Sequence, residues 1–169
     1  YSIITYSEGI FKSYVFSDAF VATGGNSRMY SIDNGKQWVY IPVSYAGYSI
    51  CFGNKTFVTT TGYNATYSEN GGQTWNQSST PLNCSGVAFG NGRFVTVGDF
   101  AAYSDDNAQT WISSVIQPNA NLGWIAFGNN TFVAVGFNYS VHSLDNGQTW
   151  SDIVYTPIFS GNIAFGNGT

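Results

Sequence analysis

"FGNNTFVAVGFNYSVHSLDNGQTW" occupies residues 127–150, and both halves of it recur along the chain. The front half returns as "FGNKTFVTTTG" at 52–62 and "FGNGRFVTVG" at 89–98, and begins again in "FGNGT" at 165–169. The rear half, "SLDNGQTW" (143–150), is preceded by "SIDNGKQW" (31–38), "SENGGQTW" (68–75) and "SDDNAQTW" (104–111). These four motifs start 37, 36 and 39 residues apart. A fixed period of this length marks a repeat architecture in which each unit is one supersecondary element. Each unit reads as four short strands. "GWIAFG" is the first, "TFVAVG" the second and "NYSVHS" the third; the fourth begins at the Trp of the rear motif.

The composition agrees with an all-β chain. Gly is abundant at 20 of 169 residues, aromatics make up 18%, and short aromatic and β-branched runs alternate with Gly/Asn clusters. No long stretch carries apolar residues at helical spacing. One domain over residues 1–169 is long enough to bury a normal core. Only 8% of residues are charged and the formal net charge is −4, with five Lys+Arg. Such a chain has no basic patch to neutralise phosphates, which speaks against nucleic acid and against an anionic membrane surface. The longest uncharged stretch, 107–144, is rich in Asn, Gly, Gln and Ser and does not read as a membrane span. "YSIITYSEGI" at 1–10 lacks the regions of a signal peptide and does not begin with Met, so the chain reads as a mature or trimmed product.

First strands align at Tyr14–Phe16, Ile50–Phe52, Val87–Phe89, Ile125–Phe127 and Ile163–Phe165, with Val15, Cys51, Ala88, Ala126 and Ala164 between the larger residues. Five first strands thus meet four complete successors. "YSIITYSEG" at 1–9 resembles the later strands of a unit. The expectation is five four-stranded blades, the last one closed by both chain ends, since an open ring exposes sheet edges.

The rear motif resembles the Asp box, S-x-D-x-G-x-T-W, of the BNR or sialidase-type β-propellers, and the resemblance runs through almost the whole chain. Its residues here are Ser31, Asp33 and Trp38; Ser68, Asn70 and Trp75; Ser104, Asp106 and Trp111; and Ser143, Asp145 and Trp150. Three boxes depart from the pattern, with Gln37 for Thr, Asn70 for Asp and Ala108 for Gly. The resemblance implies a turn between the third and fourth strands of each blade. Ser and Asp side chains there can bond turn N–H groups, and Gly can adopt positive φ. The four Trp side chains are expected to wedge between blades.

The family includes sialidases, whose pattern implies three arginines gripping a substrate carboxylate. Only Arg28 and Arg93 exist here, so that site cannot be assembled. No convincing carboxylate pair for glycoside hydrolysis stands apart from the box residues. No catalytic residue, cofactor or metal site is expected; the boxes lack the dense carboxylates of calcium loops. His142, the lone histidine, stands where Tyr30, Tyr67 and Tyr103 precede the other boxes, and reads as a packing residue. Cys51 and Cys84 lie in neighbouring units; a disulfide and two buried thiols both fit the sequence.

Seven Asn-x-Ser/Thr sequons occur, at Asn54, Asn64, Asn76, Asn83, Asn129, Asn138 and Asn167. Asn54, Asn129 and Asn167 share the turn between first and second strands, an exposed place for a glycan. The alternative is a turn that favours Asn and Thr for backbone reasons. Trp124 is the one Trp outside a box, where other units have Ser13, Ser49, Gly86 and Asn162. It can plug the centre of the ring or stack on a ligand such as a sugar. Together these features describe a secreted, non-enzymatic propeller that binds a glycan or an extracellular protein. The alternative is a glycosylated structural subunit of an extracellular filament, coat or larger repeat protein, with homo-oligomers open to it.

Overall fold

The computed structural model describes residues 18–24, 26–44, 47–62, 64–78, 83–116, 121–156 and 161–166. They form four antiparallel meanders, each sheet following the sequence order of its strands. The first sheet holds β1 (Phe20–Gly24), β2 (Ser27–Ser31) and β3 (Val39–Pro42). The second holds β4 (Ser49–Gly53), β5 (Thr56–Thr60), β6 (Ala65–Ser68) and β7 (Asn76–Ser78). β8 (Cys84–Gly90), β9 (Arg93–Gly98), β10 (Ala101–Ser104) and β11 (Ile112–Ser113) make the third. β12 (Leu122–Gly128), β13 (Thr131–Gly136), β14 (Tyr139–Ser143) and β15 (Val154–Tyr155) make the fourth.

The hairpin between first and second strands is fixed by its two tip residues. Gly53 pairs with Thr56, Gly90 with Arg93 and Gly128 with Thr131, which leaves two residues in each loop. Asn54-Lys55, Asn91-Gly92 and Asn129-Asn130 all have positive φ. Two such residues make the mirror-image turn that suits the twist of the strands, and Asn tolerates it well. Behind each tip an aromatic pair faces itself across the strands. Phe52–Phe57, Phe89–Phe94 and Phe127–Phe132 have ring centroids 4.6, 4.7 and 4.6 Å apart.

Two apolar clusters fill the spaces between sheets. Val58, Ala65, Val87, Phe94, Ala102, Ala108 and Trp111 form one, between the second and third sheets. The other joins the third and fourth sheets through Val95, Val97, Leu122, Ile125, Phe132 and Val141, among others. First strands of adjacent sheets run close together: a Cβ on Gly86 would meet the Gly123 carbonyl oxygen at 3.1 Å and Trp124 Cα at 3.2 Å.

The structure corrects the expectation of five blades with a shared last one. Four sheets are present among the described residues, and none is closed by both ends of the chain. Ile163–Phe165 is described but forms no strand; Phe165 instead seats its ring over Gly128, where a Cβ would collide with it. The two earlier contacts of this kind, Phe89 over Gly53 and Phe127 over Gly90, join complete neighbouring sheets. The segment 161–166 therefore keeps the packing of a first strand without a described strand to bond to. Tyr14–Phe16, residues 1–9 and Asn167, on which the closure and one sequon rested, lie outside the described residues.

Candidate binding rim

The turns at the four Ser-x-Asp/Asn motifs, the boxes, fix where the neighbouring side chains point. Each box Ser is the last residue of a strand, β2, β6, β10 or β14, and its side chain is locked by the turn that follows. Ser31 Oγ donates to Asp33 Oδ1 at 2.8 Å and accepts from the Gly35 N–H at 2.9 Å. Ser68 with Asn70 and Gly72, Ser104 with Asp106 and Ala108, and Ser143 with Asp145 and Gly147 repeat the pattern at 2.8–3.0 Å. The Asp oxygen then accepts from the backbone N–H four residues on: Gln37 to Asp33, Thr110 to Asp106 and Thr149 to Asp145, each at 2.9 Å. Asn70 accepts from Thr74 N–H at 3.0 Å and donates to its hydroxyl at 2.8 Å, so the amide replaces the carboxylate without loss of the turn.

These bonds hold the box carboxylates below their ordinary pKa. For Asp33 the Gln37 N–H is the main cause. Burial works in the opposite direction at Asp106 and Asp145, but is outweighed by the Thr hydroxyl, turn N–H groups and box Ser. The boxes are thus structural, and no cluster of three or more His, Cys, Asp or Glu able to hold a metal occurs among the described residues.

At the turn apex two successive residues have positive φ: Asn34-Gly35, Gly71-Gly72, Asn107-Ala108 and Asn146-Gly147. In the second, third and fourth sheets the second of them packs on the preceding sheet. A Cβ on Gly72 would lie 2.6 Å from Val21 Cγ2, and one on Gly147 would lie 2.7 Å from Val95 Cγ2. Ala108 keeps a φ of 67° and is fully buried in the cluster that contains Val58. In the third and fourth sheets the first of the pair reaches the neighbouring hairpin. Asn54 Nδ2 donates to Asn107 Oδ1 at 2.6 Å, and Asn91 Nδ2 to Asn146 Oδ1 at 2.9 Å.

The expectation that all four box tryptophans wedge between sheets holds unevenly. Trp111 is 8% exposed and donates from Nε1 to Ser78 Oγ of the second sheet at 3.2 Å. Trp150 packs partly buried against the cluster of the third and fourth sheets, with its Nε1 buried and unpartnered. Ser114, at the position equivalent to Ser78, donates to the Gly147 carbonyl at 2.5 Å. Trp75 lies half-buried beneath the Arg28 guanidinium, 4.5 Å from its ring centroid. Trp38 is 43% exposed and is no wedge, because no described sheet precedes its own. The Ser three residues after Trp75 and Trp111 is a signal the sequence carried and the motif reading passed over.

Both arginines are committed to the scaffold. Arg93 makes a two-pronged ion pair with Asp105 at 2.6 and 3.0 Å, donates to the Asn146 carbonyl at 3.1 Å and covers Tyr103. Arg28 is buried, donates to Thr66 Oγ1 at 2.8 Å, and has its pKa lowered by desolvation. Asp99 accepts from Asn83 Nδ2 at 2.7 Å, which occupies the amide of that sequon. His142 is exposed on β14, contrary to the packing role expected for it; its backbone, not its ring, bonds Ser151. Cys51 and Cys84 form no disulfide. Burial pushes the Cys51 thiol pKa well up, and Cys84 is buried at the start of β8.

The remaining sequons divide by place. Asn76 is exposed on β7. Asn64 and Asn138 lie in turns between second and third strands; the Asn64 carbonyl accepts from Thr61 N–H, and Asn138 Oδ1 is buried and unpartnered. At the hairpin tips Thr56 and Thr131 hydroxyls donate to the Asn54 and Asn129 carbonyls at 3.3 and 3.1 Å. The Thr of those sequons therefore has a turn-forming role of its own.

In an up-and-down sheet the hairpin tips and box turns lie at one end, and the turns between second and third strands lie at the other. This second rim carries exposed aromatics: Tyr48 at 77%, Phe100 at 45% and Phe137 at 61%. Tyr48 belongs here because its N–H bonds the Thr60 carbonyl at the end of β5 and its ring rests on Gly62. Trp124 is half-buried near the start of β12, just past a bulge and opposite Val135, and so lies on the innermost strand close to the same rim.

No protein-family model and no curated protein matches the chain. Solved structures do. YCF48 bound to a D1 peptide matches with a TM-score of 0.61 at 18% identity, over 77% of this chain and 48% of that one. An ancestral GH74 enzyme matches with a TM-score of 0.62 at 15% identity, over 80% of this chain and 24% of that one. A chain of a nidogen/laminin complex matches with a TM-score of 0.60 at 10% identity, over 78% and 56% respectively. The chain thus spans about half the length of two of these proteins and a quarter of the third. These neighbours are β-propeller proteins, and the four meanders are propeller-type sheets.

Proposed function

We propose that this chain is a non-enzymatic propeller module of the Asp-box type that binds a protein ligand outside the cell. The rim with Tyr48, Phe100 and Phe137 is its contact surface, and Trp124 lies beneath it. The observation that carries this reading is the gathering of three exposed aromatics on the rim away from the scaffold-forming motif turns, because a few large side chains dominate most protein contacts. Two neighbours support the choice of ligand, since one is bound to a peptide and another is in complex with laminin. The arginine assignments support the non-enzymatic half: both guanidinium groups serve the scaffold. A glycosylated structural subunit is the second reading, favoured by Asn76 and Asn129 being exposed sequons.

The test is binding of the chain to a displayed peptide library and to a glycan array, repeated with Phe100→Ser/Phe137→Ser. Selected peptides that bind the parent chain and lose at least tenfold in affinity to the double variant are the expected result. Glycan binding alone would replace the ligand class. Binding that ignores both substitutions, or none to either array, would overturn the assignment to this rim.

A further inference from the structure

Charge is unevenly divided between the two rims. The hairpin tips and box turns carry acids and bases together: Lys36, Lys55 and Glu69 are exposed there, and Arg93 is ion-paired with Asp105. The rim with Tyr48, Phe100 and Phe137 is different. Among the described residues, Asp99 is the one exposed charged side chain at its turns, and no exposed base accompanies it. Arg28 lies at the start of β2, near this end, but is buried against Thr66 and Trp75.

Asp99 is held in place among the aromatics. It forms the tip of the turn between β9 and β10, where the Gly98 N–H donates to the Phe100 carbonyl at 2.8 Å. Asn83 Nδ2 donates to Asp99 Oδ2 at 2.7 Å, and Asp99 Oδ1 has no hydrogen-bond partner among the described residues. Phe100 is the next residue in the chain. Phe137 follows Gly136 as Asp99 follows Gly98, so the acid of the third sheet and the ring of the fourth stand at the same step of adjacent sheets. Tyr48 joins them through Gly62, which its ring covers and which pairs with Cys84 beside Asn83.

Taking this rim as the contact surface, as proposed above, we infer that its protein ligand is basic: a segment whose Lys or Arg pairs with Asp99 while apolar side chains beside it cover Phe100 and Phe137. A lone acid within an apolar surface repels an acidic partner, and a neutral one leaves the carboxylate to be desolvated without a counter-charge, so the rim selects by sign. A guanidinium or ammonium group also lies well on an aromatic face, and Phe100 stands next to the carboxylate. Packed sheets are about 10 Å apart and an extended chain advances about 3.3 Å per residue. The basic residue and the apolar residue over Phe137 should therefore lie about three positions apart. The net charge of −4 draws such a partner in from a distance.

The experiment selects a displayed library of random peptides on the 169-residue chain and keeps those whose binding is lost in Phe100→Ser/Phe137→Ser. Enrichment of Lys or Arg in that set is expected, with an apolar residue about three positions away. Asp99→Asn should weaken those peptides about fivefold. Asp99→Lys should select acidic peptides instead. Glu69→Gln removes an equal charge from the opposite rim and should leave affinity within about twofold. Far-UV circular dichroism confirms that each variant is folded. Rim-dependent peptides without basic enrichment, or equal losses in Asp99→Asn and Glu69→Gln, overturn the basic ligand and leave the rim as the contact surface. If no peptide depends on Phe100 and Phe137, the rim assignment falls and the basic ligand with it.

Discussion

Asn54 and Asn107 meet side chain to side chain, 2.6 Å apart, although one is the tip of a hairpin in the second sheet and the other the apex of a turn in the third. Asn91 and Asn146 do the same one sheet further on, at 2.9 Å. Both members of each pair have positive φ, so the backbone conformation and the contact select the same residue type. These links lie along the rim that also exposes Phe20, Trp38, Phe52 and Phe165, opposite the rim with Tyr48, Phe100 and Phe137.

The glycine at the box apex should tolerate little. Gly147→Val places a branched side chain at a φ of 85° and drives it into Val95, and should cost about 3 kcal/mol of stability. Ala108→Gly is the counter-test. It relieves a φ of 67° but removes a buried methyl group, two terms of about 1 kcal/mol each with opposite sign. Urea unfolding should find this variant within about 1 kcal/mol of the parent.

Trp111→Phe should destabilise more than Trp150→Phe. The first loses a buried hydrogen bond to Ser78, and leaves that hydroxyl without its donor, at about 1 kcal/mol. The second removes a buried N–H that has no partner to lose. Ser78→Ala should overlap with Trp111→Phe rather than add to it, apart from the Ser78 bond to the Ala65 carbonyl. Equal melting temperatures for the two Trp variants would contradict the assignment.

Acid should loosen the boxes. The folded pKa values of Asp106 and Asp145 lie below the unfolded value of about 3.9, so the unfolded chain binds protons first as pH falls. Their stabilisation is fully present above that value and is lost as pH falls through the folded pKa. Asp145→Asn, which imitates the natural Asn70 box, should make stability less dependent on pH below about 4. Unfolding free energies measured between neutral and strongly acidic pH decide this; an unchanged slope would remove Asp145 from the account.

The thiols should resist modification in the native chain. Alkylation under native conditions at neutral pH should leave Cys51 and Cys84 largely unlabelled, since burial disfavours the Cys51 thiolate and encloses Cys84. In denaturant without reductant both should label, as no disulfide holds them. Mass spectrometry reads both results.

In a secretory expression host Asn129 should carry glycan more fully than Asn54. The two share a turn, but the Asn54 amide is engaged by Asn107, whereas the Asn129 amide has no hydrogen-bond partner among the described residues. Glycopeptide occupancy tests the order. The reverse order would mean that the cross-sheet bond does not persist in solution.

Much of the architecture is local and was legible in the residues. The period of about 37, the strand order and the box between third and fourth strands follow from hydrophobic alternation and from turns whose partners lie within four residues. Even the substitution of Asn70 for Asp could be judged in advance, because an amide oxygen accepts the same N–H. What depends on the next sheet was not legible. Four Trp residues in matching motifs range from 8% to 43% exposed, because cover comes from a preceding sheet that, among the described residues, only three of them have. His142 stands in a position of repeat aromatics yet faces solvent, and two cysteines in adjacent units are not bonded. The number of sheets and the state of the ring ends were likewise beyond a motif count. A repeat motif records contacts within a unit; which neighbouring sheet covers each outer face is decided only by tertiary packing.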